Sequence, residues 1–127
     1  MRRIRITAGG ISVTAELNDS PTADAIWNVL PLEARGSTWG DEIYFPIPVH
    51  LPPAKDAKEV VELGDLGYWP PGNAFCIFYG PTPASVGDEI RPASPVSVFG
   101  HIVDDPTVFR KLRGSVSVRV ERIEERL

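Results

Sequence analysis

Residues 11–17 alternate strictly: Ile11, Val13, Ala15 and Leu17 fall on one face, Ser12, Thr14 and Glu16 on the other. A period of two is that of a half-buried strand. Residues 3–7 form a second extended run, and Ala8-Gly9-Gly10 lies between the two. Glycines in that place predict a β-hairpin. The spacing then changes. Ala23, Ile26, Trp27 and Leu30 form an apolar stripe at helical intervals, preceded by Ser20 as a cap, Pro21 for the first position and Asp24 near the positive end of the dipole. Pro31 ends the helix, and Trp27 on its stripe reads as core.

Further along, residues 33–39 and 42–46 read as two short strands joined through Gly40-Asp41. Residues 46–53 hold several prolines without amide donors, which predicts an extended path along a barrel edge or over the surface. A short strand is expected at 60–63, ended by Gly64-Asp65. The glycines, prolines and aromatics of residues 64–73 predict a rigid loop with special backbone angles. Apolar strands follow at 74–79 and 96–103. Asp104 or Asp105 can then cap a short second helix that has Pro106 in its first turn and stops at Gly114. Val116, Val118 and Val120 alternate in a last strand.

Seven to nine strands and two short helices, without a β-α-β alternation, favour a mostly β fold: a closed, mainly antiparallel barrel capped by helices. The chain of 127 residues fits one domain, residues 1–127.

Composition narrows the function classes. Apolar residues make up 43% and charged residues 24%, an ordinary globular balance. A net charge of −4 opposes general nucleic-acid binding, and Arg2, Arg3 and Arg5 are too short a cluster to reverse that. The single cysteine, Cys76, excludes an intrachain disulfide and a Cys-rich metal site; inside its apolar run it reads as a small buried hydrophobe. No apolar stretch reaches the ~18 residues of a membrane span, and the N-terminus lacks an apolar signal core. A cytoplasmic location without membrane contact is the expectation.

The run Gly64-Asp65-Leu66-Gly67-Tyr68-Trp69-Pro70-Pro71-Gly72-Asn73 and the later Phe78-Tyr79-Gly80-Pro81-Thr82-Pro83 resemble small, uncharacterised prokaryotic cyclophilin-like proteins. The opening hairpin and Pro21-Thr22-Ala23-Asp24 at the helix start match that family's order of elements. Val98-Phe99-Gly100-His101-Ile102-Val103, before an acidic turn and a short helix, is similar to a strand of the true cyclophilins. The resemblance implies a barrel of about eight strands with a helix at each end and a groove along one face. Prolyl isomerases of the cyclophilin type carry a His-Arg strand and a Phe-Met-x-Gln strand. The early strands here, Arg35-Gly36-Ser37-Thr38-Trp39 and Glu42-Ile43-Tyr44-Phe45, contain neither, so no catalytic residue is carried across.

The remaining chemistry is sparse. His50 and His101 show no metal-ligand spacing, and no metal or cofactor is expected. Serines occur without a nucleophile elbow. Asp41-Glu42 and Asp88-Glu89 follow turn glycines and read as solvated turn residues. The aromatic and polar set Trp39, Tyr44, Tyr68, Trp69, Asn73 and Phe78 supplies what a ligand groove needs, although the same rings could fill the barrel instead. Glu42 joins it, because it shares a strand face with Tyr44 beside Trp39. His101, in phase with Phe99 and Val103, is the last candidate. The expected function is a binding module for a small molecule or an extended Pro-containing peptide. Two alternatives stay open: a weak peptidyl-prolyl isomerase, and an assembly protein whose last strand and charged tail, residues 119–126, pair with another copy. The expected state is monomer or homodimer.

Overall fold

The computed structural model describes residues 2–123. Eight strands carry the fold: β1 (Arg3–Ala8), β2 (Ile11–Leu17), β3 (Leu32–Thr38), β4 (Glu42–Pro46), β5 (Asp65–Trp69), β6 (Ala74–Phe78), β7 (Ser97–Ile102) and β8 (Ser115–Ile123). They close into a barrel in the order β1-β2-β7-β5-β6-β4-β3-β8, and each neighbouring pair is antiparallel.

The hairpin forms as its pattern predicts. Gly9 and Gly10 turn the chain with φ of 55° and 83°, a left-handed pair that suits a two-residue connection. Ile4, Ile6, Ala8, Val13, Ala15 and Leu17 then enter the core. Helix α1 (Pro21–Val29) starts where the Ser20 hydroxyl accepts the Ala23 amide at 3.1 Å, and it packs Ala23 and Ile26 against the barrel interior. Trp27 lies at the rim, packed against the core and flanked by the guanidinium groups of Arg2 and Arg122 at 5.4 and 4.7 Å. The barrel axis is filled by rings. Phe75 stacks on Phe45 and meets Phe99 edge-on, each at 4.9 Å. At the end away from α1, a 3-10 helix (Pro106–Lys111) capped by Asp105 brings Phe109 edge-on to Tyr79 at 5.8 Å.

The Pro-rich stretch is extended, with Ile47 and Val49 buried between exposed Pro48 and His50. Two expectations fail. Residues 60–63 form no strand; Val61 makes a single bridge to Ile90, because its neighbour is a cover segment and not a barrel strand. Conversely, half of the run expected as a loop, five of its ten residues, is strand β5, and Pro70–Gly72 then turns as a 3-10 helix closed by left-handed Asn73 (φ 47°). Gly67 has a strand role here: a side chain in its place would meet Val96 Cγ2 at 2.7 Å, so its bareness lets the cover lie against the wall.

The last strand is a stave of the closed barrel: β8 pairs with β1 through residues 118–123 and with β3 through residues 115–120, so both of its sides are taken at residues 118–120, where the expected sheet-edge route to a second copy is closed. Residues 124–126 of the charged tail lie outside the described residues.

Candidate functional site

On β4, Ile43 and Phe45 point into the barrel, which turns Glu42 and Tyr44 to the outer face. On β6, Phe75 and Ile77 point inward and Ala74, Cys76 and Phe78 outward. An outer face is ordinarily wet, yet this one is covered. Val61, Ile90 and Val96 pack over Ala74, Cys76 and Phe78 as a second apolar cluster, with Trp69 and Val98 at its margin.

Cover and wall do not meet everywhere. Between them lies a cavity of about 160 Å³, whose wall side is formed by Glu42, Tyr44 and Cys76 and whose flanks are Trp39 and Trp69. Pro92, Ala93 and Val96 close it from the cover. Each flank is fixed by its own bonds. The Trp39 amide donates to the Glu42 carbonyl at 2.8 Å across the tight turn at Gly40. The Trp69 indole N–H donates to Ser94 Oγ at 2.6 Å, tying the wall to the cover, while Gly72 leaves room for the indole ring. The cover braces itself as well. Ser85 Oγ accepts the amides of Thr82 (3.0 Å) and Arg91 (3.2 Å), and Arg91 makes a two-pronged contact with Glu89.

Glu42 is the polar centre of this apolar space. It is only 5% exposed, and its Oε1 has no hydrogen-bond partner. Burial pushes its carboxyl up to about 7, and the neighbouring Cys76 thiol, as a donor, offsets part of that rise. The thiol is itself pushed well above its ordinary range, first by burial and then by the adjacent carboxylate, so it stays a neutral S–H. The expectation that Asp41 and Glu42 are both solvated fails for Glu42. The turn ends one residue earlier, and strand alternation carries Glu42 under the cover.

The structure thus brings Trp39, Glu42, Tyr44 and Trp69 together at one cavity. The other candidates lie elsewhere. Tyr68 is fully buried inside the barrel, where its hydroxyl donates to the Val49 carbonyl at 2.7 Å and accepts the Leu51 amide at 3.2 Å. Asn73 closes the turn, its side-chain Oδ1 an acceptor 3.0 Å from that hydroxyl and its backbone carbonyl accepting the Ile47 amide. Phe78 is fully buried beneath the cover and lines no part of the cavity. His101 is exposed on β7, its Nε2 3.9 Å from Glu16. Its expected phase with Phe99 is broken by a bulge. Consecutive Leu66 and Gly67 of β5 face Gly100 and Val98, so Phe99 is an extra residue that turns inward while His101 turns out.

Cys76, Pro92, Ala93 and Val96 were not among the candidates. Cys76 reads as buried within a uniformly apolar run, and nothing in the sequence says that residues 80–96 double back over the wall. Among the described residues, no three of His, Cys, Asp and Glu converge as a metal site. No described helix is long and apolar enough to cross a membrane.

A sequence model described as Cyclophilin-like matches residues 2–121. The chain belongs to the cyclophilin-like family. A solved structure of similar form is the solution structure of the hypothetical protein AF2241 from Archaeoglobus fulgidus. It is 40% identical, with a TM-score of 0.80 over 96% of this chain and 95% of that one. The structure of McbB in complex with tryptophan shares the cyclophilin-like fold at 20% identity and a TM-score of 0.72. The match spans 98% of this chain but 46% of McbB. No curated protein sequence matches the chain.

Proposed function

We propose that this cyclophilin-like protein binds a single compact, largely apolar molecule in the cavity between barrel wall and cover, with Glu42 as the fixed polar contact. The observation that carries the reading is the buried Glu42 carboxyl, its Oε1 without a hydrogen-bond partner, at a partly covered cavity lined by Trp39, Tyr44 and Trp69. Size limits the occupant. The cavity of about 160 Å³ is close to the ~150 Å³ apolar cavity that takes up benzene. That volume suits a molecule built on one ring rather than an extended peptide. McbB, solved in complex with tryptophan, shares the fold over 46% of its own length and contributes the fold alone to this reading.

Fluorescence of a Trp27→Phe variant tests the proposal, since the remaining tryptophans, Trp39 and Trp69, both flank the cavity. Single-ring compounds should change the emission saturably, and a Pro-containing peptide should not. Val96→Trp, which fills the cavity from the cover, should abolish the response. A library of ring-sized compounds that leaves the emission unchanged would overturn the reading.

A further inference from the structure

A carboxylate held among apolar groups is unstable as an anion unless something supplies positive charge. The protein itself supplies none to Glu42. On its own strand it has the Tyr44 hydroxyl. From β6 it faces the Cys76 thiol, and the next residue but two, Tyr79, is a phenol pushed up to about 12 by burial and by Asp41. The preceding Asp41 is already engaged by Arg110, 3.3 Å away. The cover brings Pro92, Ala93 and Val96 to the cavity, none of them charged, and the adjacent Arg91 is taken by Glu89 at 3.0 Å. Among the described residues no Lys, Arg or His forms an ion pair with Glu42.

The walls have a complementary property. Trp39, Tyr44 and Trp69 line the cavity, and none of them is stacked on another aromatic ring among the described residues. Aromatic rings attract cations over their faces, best when the site is desolvated. A bare metal ion does not fit: Zn²⁺ takes ~four donors and Ca²⁺ ~six to eight, whereas the cavity offers one carboxylate and one thiol. An organic cation asks for less, one counter-ion and apolar or aromatic surroundings.

We propose that the cavity takes a compact organic ammonium ion, its charged head held between Glu42 and the surrounding aromatic rings. This deepens the small-molecule reading and rests on it. Binding is then linked to a proton. Empty, the carboxyl holds its proton up to about pH 7. An ammonium ligand selects the ionised form, so its affinity falls as pH drops below that point and its binding near pH 6 releases a proton.

Calorimetric titration of the full chain with three near-isosteric probes tests this: benzylamine, benzyl alcohol and benzoate. At pH 8 benzylamine should bind ~tenfold or more tightly than benzyl alcohol, with benzoate weakest. At pH 5.5 that preference should shrink by ~tenfold or more, following the protonation of a single carboxyl. Near pH 6 the measured heat should change with the ionisation enthalpy of the buffer for benzylamine and not for the alcohol. Glu42→Gln should lose the amine preference and its pH dependence, whatever affinity remains for the alcohol; if that variant does not fold, the buffer dependence in the natural chain decides alone. Equal binding of amine and alcohol, or a preference for benzoate, overturns the cation while leaving the small-molecule site standing. Binding of none of the three overturns both.

Discussion

Glu42 holds its proton at a pH where surface carboxylates have long lost theirs, and the cause is solvation, since the strongest influence on it is burial. This has a consequence for stability. The unfolded chain ionises Glu42 near 4.5 and the folded chain near 7. Below 4.5 both forms are protonated and the residue contributes no pH dependence. Between the two values the unfolded state releases a proton that the folded state keeps, so stability falls as pH rises. Above about 7 the loss is complete, on the order of 3 kcal/mol. Glu42→Gln, neutral throughout, should therefore melt higher than the natural chain at pH 8, by ~10 °C, and nearly level with it at pH 4. Identical differences at both pH values in thermal unfolding would contradict the buried-acid account. Little of this was legible beforehand. Residue type and spacing put Glu42 beside Tyr44 and Trp39, but a glycine turn just ahead of it made it look solvated. Burial depends on residues some fifty positions later, outside any local pattern.

At the scale of elements, legibility followed the range of the interactions. The hairpin, α1 and β4 depend on alternation, caps and turn glycines within a few residues, and they form where those signals lie. β5 was hidden because Gly67 is a loop residue by habit and a packing residue in fact. Its missing side chain is the space that Val96 occupies. The bulge at Phe99 was equally hidden, as it exists only in the register between β5 and β7, and it moved His101 away from the expected groove. The Gly67–Val96 contact can be measured. Gly67→Ala should destabilise by ~1–3 kcal/mol through overpacking. Combined with Val96→Ala it should cost clearly less than the sum of the two single changes, because the second removes the methyl groups that the first strikes. Additive losses in urea unfolding would mean that the cover does not bear on the wall at that point. The same cycle reports on the cavity, whose boundary includes Val96.

At the scale of the molecule, closure is what the sequence conveyed least directly. Strand count and the cyclophilin-like resemblance implied a barrel, but the order β1-β2-β7-β5-β6-β4-β3-β8 leaves no periodic trace. β8 is the closing stave, hydrogen-bonded along much of its length to β1 and to β3. A chain ended after Gly114 would expose both of those strands as unpaired edges and lose the buried side chains of Val116, Val118 and Val120. It should be unfolded or aggregated by circular dichroism and light scattering; a soluble, cooperatively melting product would show that closure is dispensable. The ring-filled interior and the cavity also belong to opposite faces of one wall, Phe45 and Phe75 within, Glu42 and Cys76 without.

Because the cavity is roofed by residues 80–96 and floored by strands whose other face fills the core, part of its lining lies outside the strands that build the barrel interior. Exchanges at Pro92 or Ala93 can reshape what is admitted without touching the rings of the barrel interior. A scaffold arranged in this way can drift from one guest to another by rewriting its roof, so related chains should differ most there while the floor beneath changes slowly.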